Sequence, residues 1–579
     1  MTPDPASPEA TDAPAGSAAP PASKGGFFGI LLLLAVALLV GTAGWGDLYN
    51  ETDGQYGGAA KVMAEGGSWL VPENNGIPRL VKPPLLYWEM AAAMKIFGVG
   101  PFAARLPGAL ALVALTVVTA LIGRQIGGPG RGALAGVILL TSLGLYSLGR
   151  IVMPEQTLSA FIAASLYCVL RGQADPGRRR IWFLAFWVCA SLASFVKGWH
   201  GTLYPLVIVG VAAAFCREAR ASLRGLISWE GPAVFVLINL PWYLAIEARF
   251  PGWFHNLIFT EHLGHIEGNS TPATDYTSVP RWQFILLHLA WFFPWSLVAG
   301  MALLTRRRLP GSRPPTPRFA TALIWAWAGV IFGSVLLTGQ RQDYYAMSMW
   351  PAFALGAAWV LERYSVRPGL FALAGVLGAG LIGSLFLGTA APVTETETLA
   401  ARATAWTTVM GFDPGVWKSL QATAWFALGG GWLGAVAALV FSKNPWPGLV
   451  AGAACLALGA VNGTAVVSPY FSLARMAPFL PSGATVVYDG GIDTGSSLLV
   501  YADVKILVLD QNPDEEFPVR RFGLGRDRFV TTDELIARWK SGEPLYLVTE
   551  SRRLGEWREA LGGAPDPVAR CGTSILLKR

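Results

Sequence analysis

The sequence predicts a polytopic, mainly α-helical membrane protein with about 13 transmembrane helices and a small α/β domain at its C-terminal end. Three observations predict it. Of the 579 residues, 53% are hydrophobic and only 14% charged, against roughly 25% charged in soluble domains. Apolar runs of about 18–20 residues, the length that crosses a bilayer as a helix, recur along most of the chain. After residue 481 those runs stop, and short alternating segments replace them.

Residues 1–26 are rich in Pro, Ala, Ser and Thr. Such a segment cannot bury a core and is expected to be a disordered tail. It has no basic start and does not read as a cleavable signal. Apolar runs follow at 27–44, 105–123, 131–149, 153–170, 181–197, 200–216, 231–247, 282–304, 319–338, 343–361, 369–390, 420–441 and 447–467.

The loops between the runs alternate in charge. One set carries Arg124 and Arg131, then Arg171, Arg178, Arg179 and Arg180, then Arg217, Arg220 and Arg224, then Arg306, Arg307, Arg308, Arg313 and Arg318. The short loops of the other set hold single bases, Arg150, Lys197 and Arg341. The positive-inside rule puts the arginine-rich set and the N-terminus in the cytoplasm. The expected organisation is a cytoplasmic tail (1–26), a catalytic transmembrane module (27–390) with extracytoplasmic loops 45–104 and 248–281, further helices (391–481), and a periplasmic α/β domain (482–579). The net charge of +7 does not point to nucleic acid, because the bases are scattered in short loops and form no continuous patch. The five cysteines show no metal-binding spacing and predict no disulfide framework.

Beyond residue 481, GATVVYDGG, VKILVLD and PLYLVTE read as strands, and RFVTTDELIARWKSG and LGEWREALGG as helix-bearing segments. Gly490, Gly491 and Gly495 have the wrong spacing for a dinucleotide fingerprint. The domain is expected to be structural.

The chain is organised around residues 45–107. This loop lies between two apolar runs and is about ten times longer than a mere connection needs. It crowds together Asp47, Glu51, Asp53, Lys61, Arg79 and Lys82. Asp53 suits either an N-cap or a carboxylate that takes a proton from an acceptor hydroxyl. Lys82, before Pro83 and Pro84, suits a phosphate or a lipid headgroup. Glu155, opening the fourth run, is an acid at a membrane boundary, costly unless solvated or partnered. Lys197 ends the fifth run. Arg341, Tyr344 and Tyr345 suit a phosphate or sugar at the membrane surface. Glu261, His262 and His265 could hold a divalent metal, the histidines being one helical turn apart. All of these fall on the outer side, which points to chemistry on something delivered by the outer leaflet.

In order, these motifs resemble the bacterial polyprenyl-phosphate-sugar glycosyltransferases of the GT-C class. That class lies in the dolichyl-phosphate-mannose–protein mannosyltransferase superfamily, and the likeness is to its lipid A aminoarabinose transferase-like branch. The matching pieces are the acidic motif of residues 51–56, AAKVMAEGGSWLVPENNGIPRLVKPPLLYW, FGVGPFAARLP, Glu155, Lys197-Gly198, FTEHL, FFPW and QRQDYYAMSMWPAFAL. The resemblance implies inverting transfer of a sugar from a polyprenyl-phosphate donor to a cell-envelope acceptor, lipid A or another glycan. It implies Asp53 or Glu51 and Glu155 as the acids. It implies Lys82, Arg341 and Tyr345 at the donor, with Tyr344, Lys197 and Tyr56 beside them. The family's paired acids stand four and three residues before its tyrosine. Here those places hold Thr52 and Asp53. Two other readings are a transferase acting on a protein hydroxyl and a transporter or flippase of polyprenyl-linked glycans. A transporter would show charges near the midplane and repeated halves, neither of which the sequence has.

Overall fold

The computed structural model describes residues 26–264, 278–305, 317–364, 366–389, 414–441, 445–563 and 565–579. Each of the thirteen apolar runs falls on helix. The first is α1 (Gly26–Ala35), continued to Val40. Two helices outside the apolar runs come next, α2 (Thr52–Ala64) and α3 (Leu85–Phe97), separated by the hairpin β1 (Glu73–Asn74) and β2 (Ile77–Pro78). Then come α4 (Pro101–Gly127), α5 (Pro129–Leu140), α6 (Leu143–Ser147), α7 (Glu155–Ala174), α8 (Arg179–Lys197), α9 (His200–Phe215), the short α10 (Arg217–Leu223) and α11 (Glu230–Arg249). The later helices are Arg281–Trp291, Trp295–Thr305, Arg318–Leu337, Trp350–Arg363, Arg367–Thr389, Pro414–Val440 and Trp446–Val467.

Among the described residues, six helices are long and apolar enough to cross a bilayer singly. Two expected straight runs are bent instead. Residues 131–149 break by 50° between α5 and α6, and residues 282–304 break by 95°. Pro294 lies at the second break, where it cannot continue the hydrogen-bond ladder. The run expected at 343–361 starts as a tight turn over Asp343–Met349 and becomes α-helix only at Trp350.

Between apolar helices in lipid, association depends on close packing and small residues. A Cβ on Gly434 would lie 2.4 Å from the Gly448 carbonyl oxygen and 2.6 Å from the Gly452 Cα. The last two membrane helices therefore touch backbone to backbone.

The C-terminal part is a six-stranded sheet in the order β5-β4-β3-β6-β8-β7. Its strands are β3 (Ala484–Tyr488), β4 (Val504–Leu509), β5 (Phe529–Val530), β6 (Leu545–Glu550), β7 (Ala569–Cys571) and β8 (Ser574–Lys578). β3 through β6 pair in parallel, while β7 and β8 add an antiparallel edge. Alternation divides the side chains between two faces. Val487, Leu507 and Leu547 pack under the helices Thr532–Lys540 and Leu554–Ala560 through Leu535, Trp539 and Trp557. Val486, Ile506, Val508 and Val548 pack against Leu473, Met476 and Leu498.

This sheet is tied to the first loop. Asn75 donates from its amide to the Ile506 carbonyl at 3.0 Å and accepts from the Ile506 N–H at 3.1 Å, as a neighbouring strand would. Lys61 donates to the carbonyls of Leu499 and Ala502. Ser496 Oγ donates to the Glu51 carbonyl. Beneath, α2, α3 and α4 share a separate core built on Tyr56, Met63, Tyr87, Met90 and Ala103.

Candidate active site

The loop leaving α1 is gathered by two buried arginines. Arg105 of α4 donates to the carbonyls of Arg150, Trp45, Gly46 and Asp47 at 2.6–3.0 Å. Arg150 donates to the Trp45 carbonyl and to Thr42 Oγ1. Asp53 completes this knot. Its carboxylate accepts from the Tyr49 N–H at 3.1 Å and the Val152 N–H at 2.6 Å, and lies 3.5 Å from Arg105 Nη2. The Asp53 side chain is wholly buried. Burial pushes its carboxyl above the usual range, while Arg105 and the two N–H donors pull it down.

Asp53 therefore fixes Val152, and with it the turn Val152–Pro154 that opens α7. Glu155 is the first residue of α7. Lys197 is the last residue of α8, which stops at Gly198, φ +110°. Helices of 20 and 19 residues joined by a short turn form an antiparallel hairpin. Equal lengths bring the start of one beside the end of the other, and Lys197 Nζ donates to Glu155 Oε1. The second Glu155 oxygen, Oε2, is buried with no hydrogen-bond partner among the described residues. Lys197 Nζ also lies 4.4 Å from the ring centre of Tyr345, a cation–π contact.

Glu155 and Lys197 line a cavity of about 620 Å³ together with Thr52, Gln55, Tyr56, Arg79 and Lys82. That volume is in the range of small-molecule sites, roughly 300–1,000 Å³. Tyr56 stacks on Tyr87 at 5.1 Å. The Arg79 guanidinium lies 5.2 Å over the Tyr56 ring and donates from Nε to Tyr87 Oη at 2.9 Å. Trp253 Nε1 donates to the Leu80 carbonyl, fixing the irregular stretch that presents Lys82. Tyr344 and Tyr345 project from the turn before Trp350, and His200 and Tyr204 of α9 add to the wall. The remaining wall, Glu515, Glu516, Phe517, Pro518 and Arg520, comes from the sheet domain.

The cavity thus gathers Glu155, Lys82, Lys197, Tyr56, Tyr344 and Tyr345 of the expected set. Three expected residues lie elsewhere. Asp53 is neither cap nor cavity acid: the N-cap position of α2 is Glu51, and Asp53 is sealed behind the α7 turn. Glu51 is exposed, with φ +62°, its backbone carbonyl accepts from Ser496 Oγ, and it does not line the cavity. Arg341 is 5% exposed, donates from Nη1 to the Thr338 carbonyl, and through its backbone holds Ser278 and Val279. His265 lies outside the described residues, as do the side chains of Glu261 and His262, so the metal expectation falls there. Among the described residues no three His, Cys, Asp or Glu side chains are grouped for a metal.

Sequence reasoning missed Arg79, His200, Glu515, Glu516 and Arg520 as cavity residues. Arg79 had a signal, three residues before Lys82 in the same extended stretch. Glu515 and Glu516 had none, lying more than 300 residues after Lys197.

A bent helical bundle thus carries α2 and α3 at one end, with a cavity there lined by acid, bases and tyrosines and an α/β domain closing it. A family model described as dolichyl-phosphate-mannose-protein mannosyltransferase matches residues 49–257. The chain is 27% identical over 346 residues to an undecaprenyl phosphate-alpha-4-amino-4-deoxy-L-arabinose arabinosyl transferase of Shewanella sediminis, covering 59% of this chain and 60% of that one. A Serratia proteamaculans protein of the same name is 26% identical over 358 residues, covering 58% and 61%. The matched stretch thus spans about three fifths of those relatives' length. The crystal structure of ArnT from Cupriavidus metallidurans bound to undecaprenyl phosphate superposes with a TM-score of 0.79 at 21% identity, over 96% of this chain and 98% of that one. In sequence and in fold the chain is aminoarabinose-transferase-like, and it is a multi-pass inner-membrane protein.

Proposed function

We propose that the protein transfers a sugar from a polyprenyl-phosphate donor to an envelope acceptor, lipid A or another glycan, at the periplasmic face and with inversion. The observation that carries this reading is the pairing of Glu155, its second oxygen unpartnered, with Lys197 in a cavity that also holds Lys82 and Arg79. The names of the curated relatives suggest 4-amino-4-deoxy-L-arabinose on undecaprenyl phosphate as the donor.

In this mechanism Glu155 Oε2 accepts the proton of the acceptor hydroxyl as that oxygen attacks the anomeric carbon. The bond from that carbon to the phosphate oxygen breaks, and polyprenyl phosphate leaves as an anion. Lys82, Arg79 and Lys197 stabilise the charge that grows on the leaving phosphate. Tyr56, Tyr344 and Tyr345 offer aromatic faces and hydroxyls to the sugar. Arg341 acts indirectly, by holding the loop before Tyr344 and Tyr345. Asp53 acts by placing the α7 turn.

Two features support the periplasmic orientation. α8 runs from Arg179 to Lys197, so the arginine-rich end lies a helix length away from the cavity, about 28 Å at 1.5 Å per residue. The same holds for Arg124, near the far end of α4. The arginine-rich end is then cytoplasmic with the N-terminus, and the sheet domain periplasmic.

The test is transfer by purified protein from undecaprenyl-phosphate aminoarabinose to lipid A in detergent, wild type against Glu155→Gln. The amide keeps the shape and loses the base, and transfer is expected to fall about 100-fold or more. A folded Glu155→Gln protein with full activity overturns the assignment.

A further inference from the structure

The sheet domain meets the membrane module by the edge at which such sheets ordinarily take ligands. From β3 the chain goes to β4 on one side and later to β6 on the other, both parallel to it. That reversal is a topological switch point, and ligands of open α/β sheets bind outside the carboxyl ends of the strands there. Here the connection after β3 packs on α2, where a Cβ on Gly54 would lie 2.3 Å from the Ser497 nitrogen. The connection after β4, through Pro513–Glu515 and the helix Phe517–Phe522, forms a wall of the cavity.

That wall is fixed in place. Arg520 donates to the Asp514 carbonyl at 2.9 Å and reaches Asn256 Oδ1 of the membrane module at 3.4 Å. Phe522 packs on Phe250 with ring centres 5.5 Å apart. The wall carries Glu515 and Glu516, both half-buried, into a cavity whose membrane-side wall carries Lys82 and Lys197. A donor held by its phosphate against the lysines presents its sugar toward the sheet domain. An acid pair there suits a sugar that is itself a cation.

We infer that Glu515 and Glu516 of the sheet domain read a protonated amino group on the donor sugar, so that this domain sets donor specificity. The inference rests on the proposed glycosyl transfer. Arg520 is a positioning residue that holds the acid pair over the cavity.

The experiment compares two donors, undecaprenyl phosphate carrying 4-amino-4-deoxy-L-arabinose and the same lipid carrying unaminated arabinose. Each is offered to wild type and to the double variant Glu515→Gln, Glu516→Gln, with thermal unfolding measured in parallel. Wild type is expected to prefer the amino sugar. In the double variant kcat/KM for the amino sugar should fall about tenfold or more through KM, as befits loss of a charge-assisted hydrogen bond, while the neutral sugar changes less than about twofold. Glu515→Asp with Glu516→Asp should restore part of the preference. Equal loss for both donors, or an unchanged preference in a variant that unfolds at the wild-type temperature, overturns the inference and leaves the transferase reading standing. A wild type that transfers neither sugar overturns the transferase reading and this inference with it.

Discussion

Asp53, expected as an acid of the reaction, sits in surroundings that suit an anchor. A buried carboxylate that accepts two backbone N–H bonds beside an arginine is a structural anchor, and its bond to Val152 lies three residues before Glu155. Removing one partner of such a buried pair typically costs about 3–5 kcal/mol. Asp53→Ala is therefore expected to lower the unfolding temperature in detergent and to reduce kcat for transfer in the protein that remains folded, with the donor KM little changed. Loss of transfer at unchanged stability would instead place Asp53 in the chemistry. Glu155, Lys82 and Lys197 were legible as residues because charges at a bilayer boundary need partners. Their meeting was not legible, since it depends on the α7–α8 hairpin. The setting of Arg341 was not legible either. A short polar loop reads as a binding loop, but its guanidinium turns back onto the Thr338 carbonyl.

At the scale of elements, α3 carries a charge that its surroundings oppose. Glu89 is half-buried between α3 and α7, with Thr157 Oγ1 3.5 Å from its carboxylate. Burial pushes its carboxyl from 4.5 up to about 7, the threonine offsetting this only in part. The folded protein then holds a proton on Glu89 over a pH window in which the unfolded chain has released it. Stability falls wherever the folded state binds more protons as pH rises. From about pH 4.5 to about 7 Glu89 thus removes stability progressively, and above about pH 7 its full cost is present. Glu89→Gln is expected to flatten the unfolding temperature across that window and to exceed wild type at pH 8. A slope identical to that of wild type would show that Glu89 is solvated. The helices of the apolar runs were legible from apolar length alone, while α2 and α3 lie outside those runs. Their bends were less so, because a run of constant hydropathy does not reveal where two half-helices part.

For the whole molecule, composition was enough to separate membrane bundle from sheet, and alternation was enough to find the strands. What it could not reveal was that the sheet domain, expected to be merely structural, supplies a wall of the cavity. That depends on contacts spanning more than 400 residues, such as Asn75 with Ile506. The packing of α2 makes the dependence testable. Gly54, Gly57 and Gly58 are all buried in α2, and a Cβ on Gly54 would lie 2.3 Å from the Ser497 nitrogen and 2.4 Å from the Ser496 carbonyl carbon. Both are backbone atoms, so the neighbour cannot yield by turning a side chain. By intrinsic propensity, Gly→Ala inside a helix should stabilise by about 1 kcal/mol. The two effects have opposite signs, and overpacking by one methyl group against backbone typically costs about 1–3 kcal/mol. Gly54→Ala is therefore expected to lower the unfolding temperature, to expose the β3–β4 connection to limited proteolysis, and to weaken transfer by lifting the Glu515–Glu516 wall from the cavity. Unchanged proteolysis together with a raised unfolding temperature would mean that the sheet domain rests only loosely on α2. The cavity would then have to be completed by the membrane module without it.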